Sequence, residues 1–191
     1  TIMIAIACGT AVGFNTLLAR YLGEKKFDYA NNTMMHGILL GFVNGLVFLI
    51  LGLLFSNVFL SWFTSDLNVV SLANTYIHIC TMFSFSVFVQ IIFERIMQAT
   101  GNAIYNMVMQ GAGAIINIIL DPILIFGWFG LPEMGVAGAA IATVIGQFCA
   151  MLIGYVITKV KIKELDIHMH NFSFSIPILC KIYKVGVPAI L

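Results

Sequence analysis

The chain has 191 residues; 61% belong to the AVILMFWYC set, 9% are charged, and the formal net charge is +1. Soluble domains carry about 25% charge and 45–50% apolar residues, so a water-soluble globular fold is excluded. A net charge of +1 says nothing useful about partners, and no nucleic-acid partner is expected.

The uncharged runs are Thr1 to Ala19, Tyr29 to Ser65, Leu67 to Phe93, Ile96 to Leu120 and Met134 to Thr158. Each is near or above the roughly 20 residues that cross about 30 Å of hydrocarbon as a helix. They predict an all-α, polytopic transmembrane bundle of five spans, A to E. In span A, Gly9 and Gly13 leave one face smooth enough for another helix to approach closely, and Gly37, Gly41 and Gly45 repeat the device in span B. Span B is longer than one crossing needs, and Asn57, Ser61 and Trp62 at its far end suit a wet interface. Span C ends at Glu94 and Arg95, which as sequence neighbours do not share a helix face; Arg95 is read as a topological anchor. The turn GWFGLPEMG after span D is short and rich in Gly and Pro, so D and E should form an antiparallel hairpin with Glu133 exposed in the turn. Span E carries a small-residue stripe at a spacing of four: Gly138, Ala142, Gly146, Ala150 and Gly154.

After span E the segment KVKIKELDIHMHNFSFSIPILCKIYK is too charged to cross. Ser175 before Ile176 and Pro177 predicts the start of a short interfacial helix with Ile178, Leu179 and Ile182 on one face and Lys181 and Lys184 elsewhere. The domain reading is thus a transmembrane part over 1–158, a cytoplasmic linker over 159–185, and the start of a further span over 186–191. Cys8, Cys80, Cys149 and Cys180 have no paired spacing, and His168 and His170 flanking Met169 are weak as a metal motif, so no metal site is expected beyond a possible Na⁺.

The basic residues fall after A (Arg20, Lys25, Lys26), after C (Arg95) and after E (Lys159, Lys161, Lys163, Lys181, Lys184), and the turns after B and D have none. By the positive-inside rule, loops 20–32, 94–103 and 159–185 are cytoplasmic. Span A then starts outside, which leads to the expectation of at least one upstream span; with no charged n-region or cleavage site it is not a signal peptide.

Apart from Arg20 and Glu94 near span ends, Asp121 is the acidic residue of the membrane interior, and an ionisable group at that depth is a functional hypothesis by default. Counting back from Gly127 places it roughly 9 Å inside the outer boundary, with Asn117 one turn earlier on the same face. Pro122 has no N–H for the Ile118 carbonyl and is read as a helix break. Thr143, about 12 Å into span E, lies at a depth where it can join them. Holding a charged Asp at a helix centre costs about 2.5–3.5 kcal/mol, and keeping an aspartic acid neutral at pH 7 costs roughly 4 kcal/mol from a reference pKa near 3.9. The two are comparable, so a proton or bound cation tips the balance, and oxygen ligands suit H⁺ or Na⁺. The alternative is an Asp that merely caps carbonyls loosened by Pro122. Asn15, Gln90, Gln110 and Gln147 are candidates for lining a water-filled cavity, although interhelical hydrogen bonds explain them equally well.

Three pieces, GTAVGFNTLLARYLGEKKFDYAN, ERIMQATGNAIYNMVMQGAGAIINIILDPILIFG and GVAGAAIATVIGQ, together with KVGVPAIL, resemble the multidrug and toxic compound extrusion (MATE) family. The resemblance implies a fragment, helices two to six and the start of seven, of a twelve-helix, two-lobe transporter in a bacterial or archaeal plasma membrane. It implies export of cationic or amphipathic small molecules by H⁺ or Na⁺ antiport through alternating access, without other cofactors, alongside the remaining helices of the same protein. Asn117, Asp121 and Thr143 match the family's amino-terminal-lobe cation site, whose first-helix acidic residue is not in the chain. A lipid-linked oligosaccharide flippase of the wider superfamily is the related alternative. A membrane-embedded enzyme has less support, because no carboxylate pair, His cluster or nucleophile with a base stands at workable spacing within the spans.

Overall fold

The computed structural model describes residues 2–62, 66–162, 165 and 174–186, with side chains described from residue 9 onward except that of residue 57. Among these described residues, seven α-helices follow in chain order: α1 Ile2–Gly23, α2 Phe27–Ser61, α3 Leu67–Met82, α4 Ser84–Ala99, α5 Ala103–Phe126, α6 Gly135–Lys161 and α7 Ile176–Gly186. Helices suit these segments because a chain in hydrocarbon must satisfy its own backbone polar groups. The residues 27–56 of α2, all of α5 and all of α6 are long and apolar enough to cross a membrane, and α3 with α4 makes a fourth, bent span. At 22 residues, α1 reaches about 33 Å. Large apolar side chains such as Leu46, Leu54, Ile118 and Ile119 are exposed, as lipid-facing surface requires. The His168–Met169–His170 motif and residues 187–191, where a further span is expected, lie outside the described residues.

Span C, expected as a single crossing, is a bent one. The axes of α3 and α4 differ by 53°, and Phe83 between them has left helical geometry (φ −109, ψ 18). Neither Pro nor Gly causes this; hydroxyls do. Ser84 Oγ donates across to the Gly45 carbonyl at 2.8 Å, and Ser86 Oγ donates back to the Phe83 carbonyl at 2.7 Å, so side chains compete for the ladder at the bend. The break expected at Pro122 is corrected, because α5 runs unbroken from Ala103 to Phe126 with Pro122 inside it. The proline lies in the last turn and a half, where few turns remain to be redirected, and membrane helices accommodate such residues when neighbours pack against them.

The hairpin of α5 and α6 is the most extensive helix pair. Gly127 closes α5 in the left-handed region (φ 69), where a side chain would also meet the Leu131 carbonyl at 2.6 Å. The expected stripe of α6 is buried along its whole length, from Gly138 to Gly154. The main apolar core lies toward the end of the bundle that carries Arg20 and Lys26, and includes Phe14, Leu18, Met34, Ile96, Met97 and Ile182. We call this the basic end. There Glu24 accepts from Lys26 Nζ at 2.7 Å and Arg20 Nε at 2.9 Å. These two bonds, Lys26 first, hold its exposed carboxyl at about 2 instead of 4.5. A lowered folded value means that whatever the cluster contributes is present above about pH 4.5 and is lost as the pH falls through about 2. A carbon-detected NMR titration of Glu24 should give a midpoint near 2 at low salt and move toward 4.5 in molar salt; an ordinary midpoint at low salt would contradict the cluster.

The small face of α1 receives α7. Gly186 N lies 2.8 Å from where a Cβ on Gly13 would sit, and Gly186 itself abuts the Gly9 carbonyl. Ile178 and Ile182 are buried while Lys181 and Lys184 are exposed, the division expected from sequence. His36, fully buried on α2, fixes the start of α7, since its Nε2 accepts from the Ser175 N–H at 2.9 Å. The proton is therefore on Nδ1, which donates to the Asn32 carbonyl at 2.7 Å. His36→Leu keeps most of the volume and strands the Ser175 N–H, at a cost of about 1–3 kcal/mol. Amide hydrogen exchange over 176–186 should accelerate about five- to a hundredfold, while exchange over α5 and α6 stays unchanged; equal protection of α7 in both proteins would refute the latch.

Candidate functional site

The site follows from the register of α5 against α6. A Cβ on Gly146 would lie 2.8 Å from the Gly113 carbonyl and 3.1 Å from Asn117 Cβ, and Gly138 abuts the Leu124 backbone. Without side chains at these positions, the helices approach closely enough for the Asn117–Asp121 turn to run beside Thr143. Asn117 Nδ2 donates to Thr143 Oγ1 at 3.4 Å, and that hydroxyl donates in turn to the Ala139 carbonyl at 2.9 Å.

Asp121 stands one turn beyond Asn117, partly buried. Its Oδ1 is shielded from solvent and has no hydrogen-bond partner. An orphaned carboxylate oxygen is costly, and each such group calls for an explanation. Tyr76 on α3 completes the surroundings: its side chain interacts with Thr143 and with Cys80, and it lies within the electrostatic reach of Asp121. Sequence reasoning missed Tyr76. The available signal was its spacing of four from Cys80, which puts two polar groups on one face of an otherwise apolar span.

A cleft of about 230 Å³ adjoins these residues, lined by Gln90, Gln110, Gly113, Ala114, Asn117, Thr143, Gly146, Gln147 and Ala150. Gln90, Gln110 and Gln147, expected as cavity lining, are thus brought together with two of the three expected cation ligands. Asn15 is not among them; it sits on α1, with its Oδ1 buried and unpartnered. Glu94 and Arg95 make no direct ion pair, but Gln98 links them: it donates to Glu94 Oε1 at 3.0 Å and accepts from Arg95 Nη1 at 2.7 Å.

Chemically, the arrangement offers a carboxylate, an amide and two hydroxyls from three helices, with no Lys or Arg among them. Such oxygen donors suit a proton or a hard monovalent cation. A nucleophile with a base is absent from this group.

The MatE family model matches residues 1–123. The multidrug export protein MepA of Staphylococcus aureus (strain bovine RF122 / ET3-1) is 29% identical over 183 residues, which are 94% of this chain and 39% of that protein. The inward-facing structure of a multidrug resistance MATE family transporter of the MOP superfamily superposes with a TM-score of 0.89 at 29% identity, covering 98% of this chain and 42% of the other. The outward-facing structure under the same description gives 0.88 at 29% identity, covering 98% and 41%. The chain therefore spans about two fifths of the length of the proteins it matches.

Proposed function

Since the chain belongs to the MatE family of transporters, we propose that it forms part of an exporter of cationic or amphipathic small molecules, driven by antiport of H⁺ or Na⁺ across a bacterial or archaeal plasma membrane. The observation that carries this reading is the shielded, unpartnered Oδ1 of Asp121 beside the Asn117–Thr143 pair. One cation or proton there supplies the missing partner and removes the cost of the buried charge.

Alternating access follows from the same half of the molecule moving as a body. The chain fits inward- and outward-facing structures almost equally, at TM-scores of 0.89 and 0.88, as expected if its helices keep their mutual packing while the rest of the transporter shifts against them. The expected cytoplasmic side is the basic end, where Arg20, Lys25 and Lys26 lie together. Loading Asp121 changes the charge within the partly buried α5–α6 site and so biases which side is open. Replacing Asp121 by Asn in the intact transporter is the corresponding test.

A further inference from the structure

Glu94 lies near the basic end of α4, about 8 Å from its last residue, Ala99. Its Oε2 accepts from Gln110 Nε2 at 2.8 Å, and Gln110 Oε1 accepts from Gln90 Nε2 at 3.0 Å. Gln90 and Gln110 both line the cleft that reaches Asn117 and Thr143. By helix rise, Gln110 is about 10 Å, Asn117 about 21 Å and Asp121 about 27 Å from the start of α5. Polar side chains therefore continue from a carboxylate near the basic end to the candidate ion site, through a span whose other surface is apolar.

We infer that Glu94 is the basic-end station of a cation path, binding the coupling ion as it passes between Asp121 and solvent. The inference rests on the reading of Asp121 as the ion site. Arg95, on the same helix, reaches Glu94 only through Gln98. From α5 the facing group is the neutral Gln110, and Tyr155 of α6 is turned edge-on to Phe93. Glu94 makes no salt bridge among the described residues, so its charge remains available to a mobile cation. The lining suits an ion: the cleft is walled by amides, a hydroxyl, glycines and alanines, whereas drug-sized sites have mainly apolar and aromatic walls.

The test uses the intact transporter in liposomes, with radioactive Na⁺ and an entrapped pH dye as the two probes, following whichever ion drives wild-type export. Glu94→Gln keeps the shape and an oxygen acceptor for one of Gln98 and Gln110, requires the other amide to turn over, and removes the charge. Ion-driven turnover should fall about tenfold while equilibrium ion binding changes less than twofold, and Glu94→Asp should retain more than half the wild-type rate. Wild-type turnover in Glu94→Gln would overturn the inference; so would a parallel fall in ion binding and thermal stability, which would mark a structural role. If Asp121→Asn stays coupled, the Asp121 reading fails and takes this one with it; if it uncouples while Glu94→Gln runs at full speed, the path alone fails.

Discussion

Asp121→Asn in the intact transporter abolishes ion-driven export, lowering it at least about a hundredfold, while leaving the amount of protein in the membrane unchanged. The substitution preserves shape but replaces Oδ1, shielded and without a partner, by a group that neither carries charge nor takes up a proton. A membrane helix gains rather than loses on insertion when a charge is removed, by about 2.5–3.5 kcal/mol at its centre, so failed insertion is not the expected cause of the loss. Export driven by imposed ion gradients in liposomes reads the effect. Two controls sharpen it: Asn117→Ala and Thr143→Ala each remove one neighbouring ligand and should weaken coupling less than Asp121→Asn does. Full coupling in Asp121→Asn would mean that the carboxylate is structural.

Gly146→Leu is expected to be the next most damaging, by another route. Its Cβ would stand 2.8 Å from the Gly113 carbonyl and 3.1 Å from Asn117 Cβ, so the added side chain meets backbone that cannot rotate away. The helices α5 and α6 must separate, and the Asn117–Thr143 hydrogen bond, already 3.4 Å long, is lost. Overpacking of this kind costs about 1–3 kcal/mol or more. Thermal unfolding in detergent should fall by several degrees, and ion-driven export should drop at least tenfold. Gly111→Leu is the matched control, since nothing lies within 4 Å of its Cβ; it should change neither quantity appreciably. Equal behaviour of the two variants would show that the hairpin contact does not position the site.

Helix existence was legible because it depends on composition summed over twenty residues or more, and the α6 stripe because small residues at a spacing of four have one dominant use. The pairing of Asn117 with Thr143 was legible as matching depth and as part of what the family resemblance implies; the hairpin turn supplies the register. What stayed hidden depended on single hydroxyls and long-range contacts. Ser84 and Ser86 bend the third span through bonds to Gly45 and Phe83, with no Pro or Gly to announce it. Pro122 announced a break that the continuous α5 does not have. His36 holding Ser175 spans 139 residues, and no local pattern encodes such a contact. Glu94 and Arg95 were read as unrelated neighbours, because the residue that connects them, Gln98, is three and four positions away and has several possible partners.

If Asp121 holds the coupling ion, equilibrium ion binding reveals it. Binding of Na⁺, or uptake of protons across a pH titration, is measured on the purified intact transporter and on its Asp121→Asn variant, with unfolding temperature recorded for both. The variant should bind one ion or proton fewer and unfold at or above the wild-type temperature. Identical stoichiometry and affinity in the two proteins would contradict that role of Asp121.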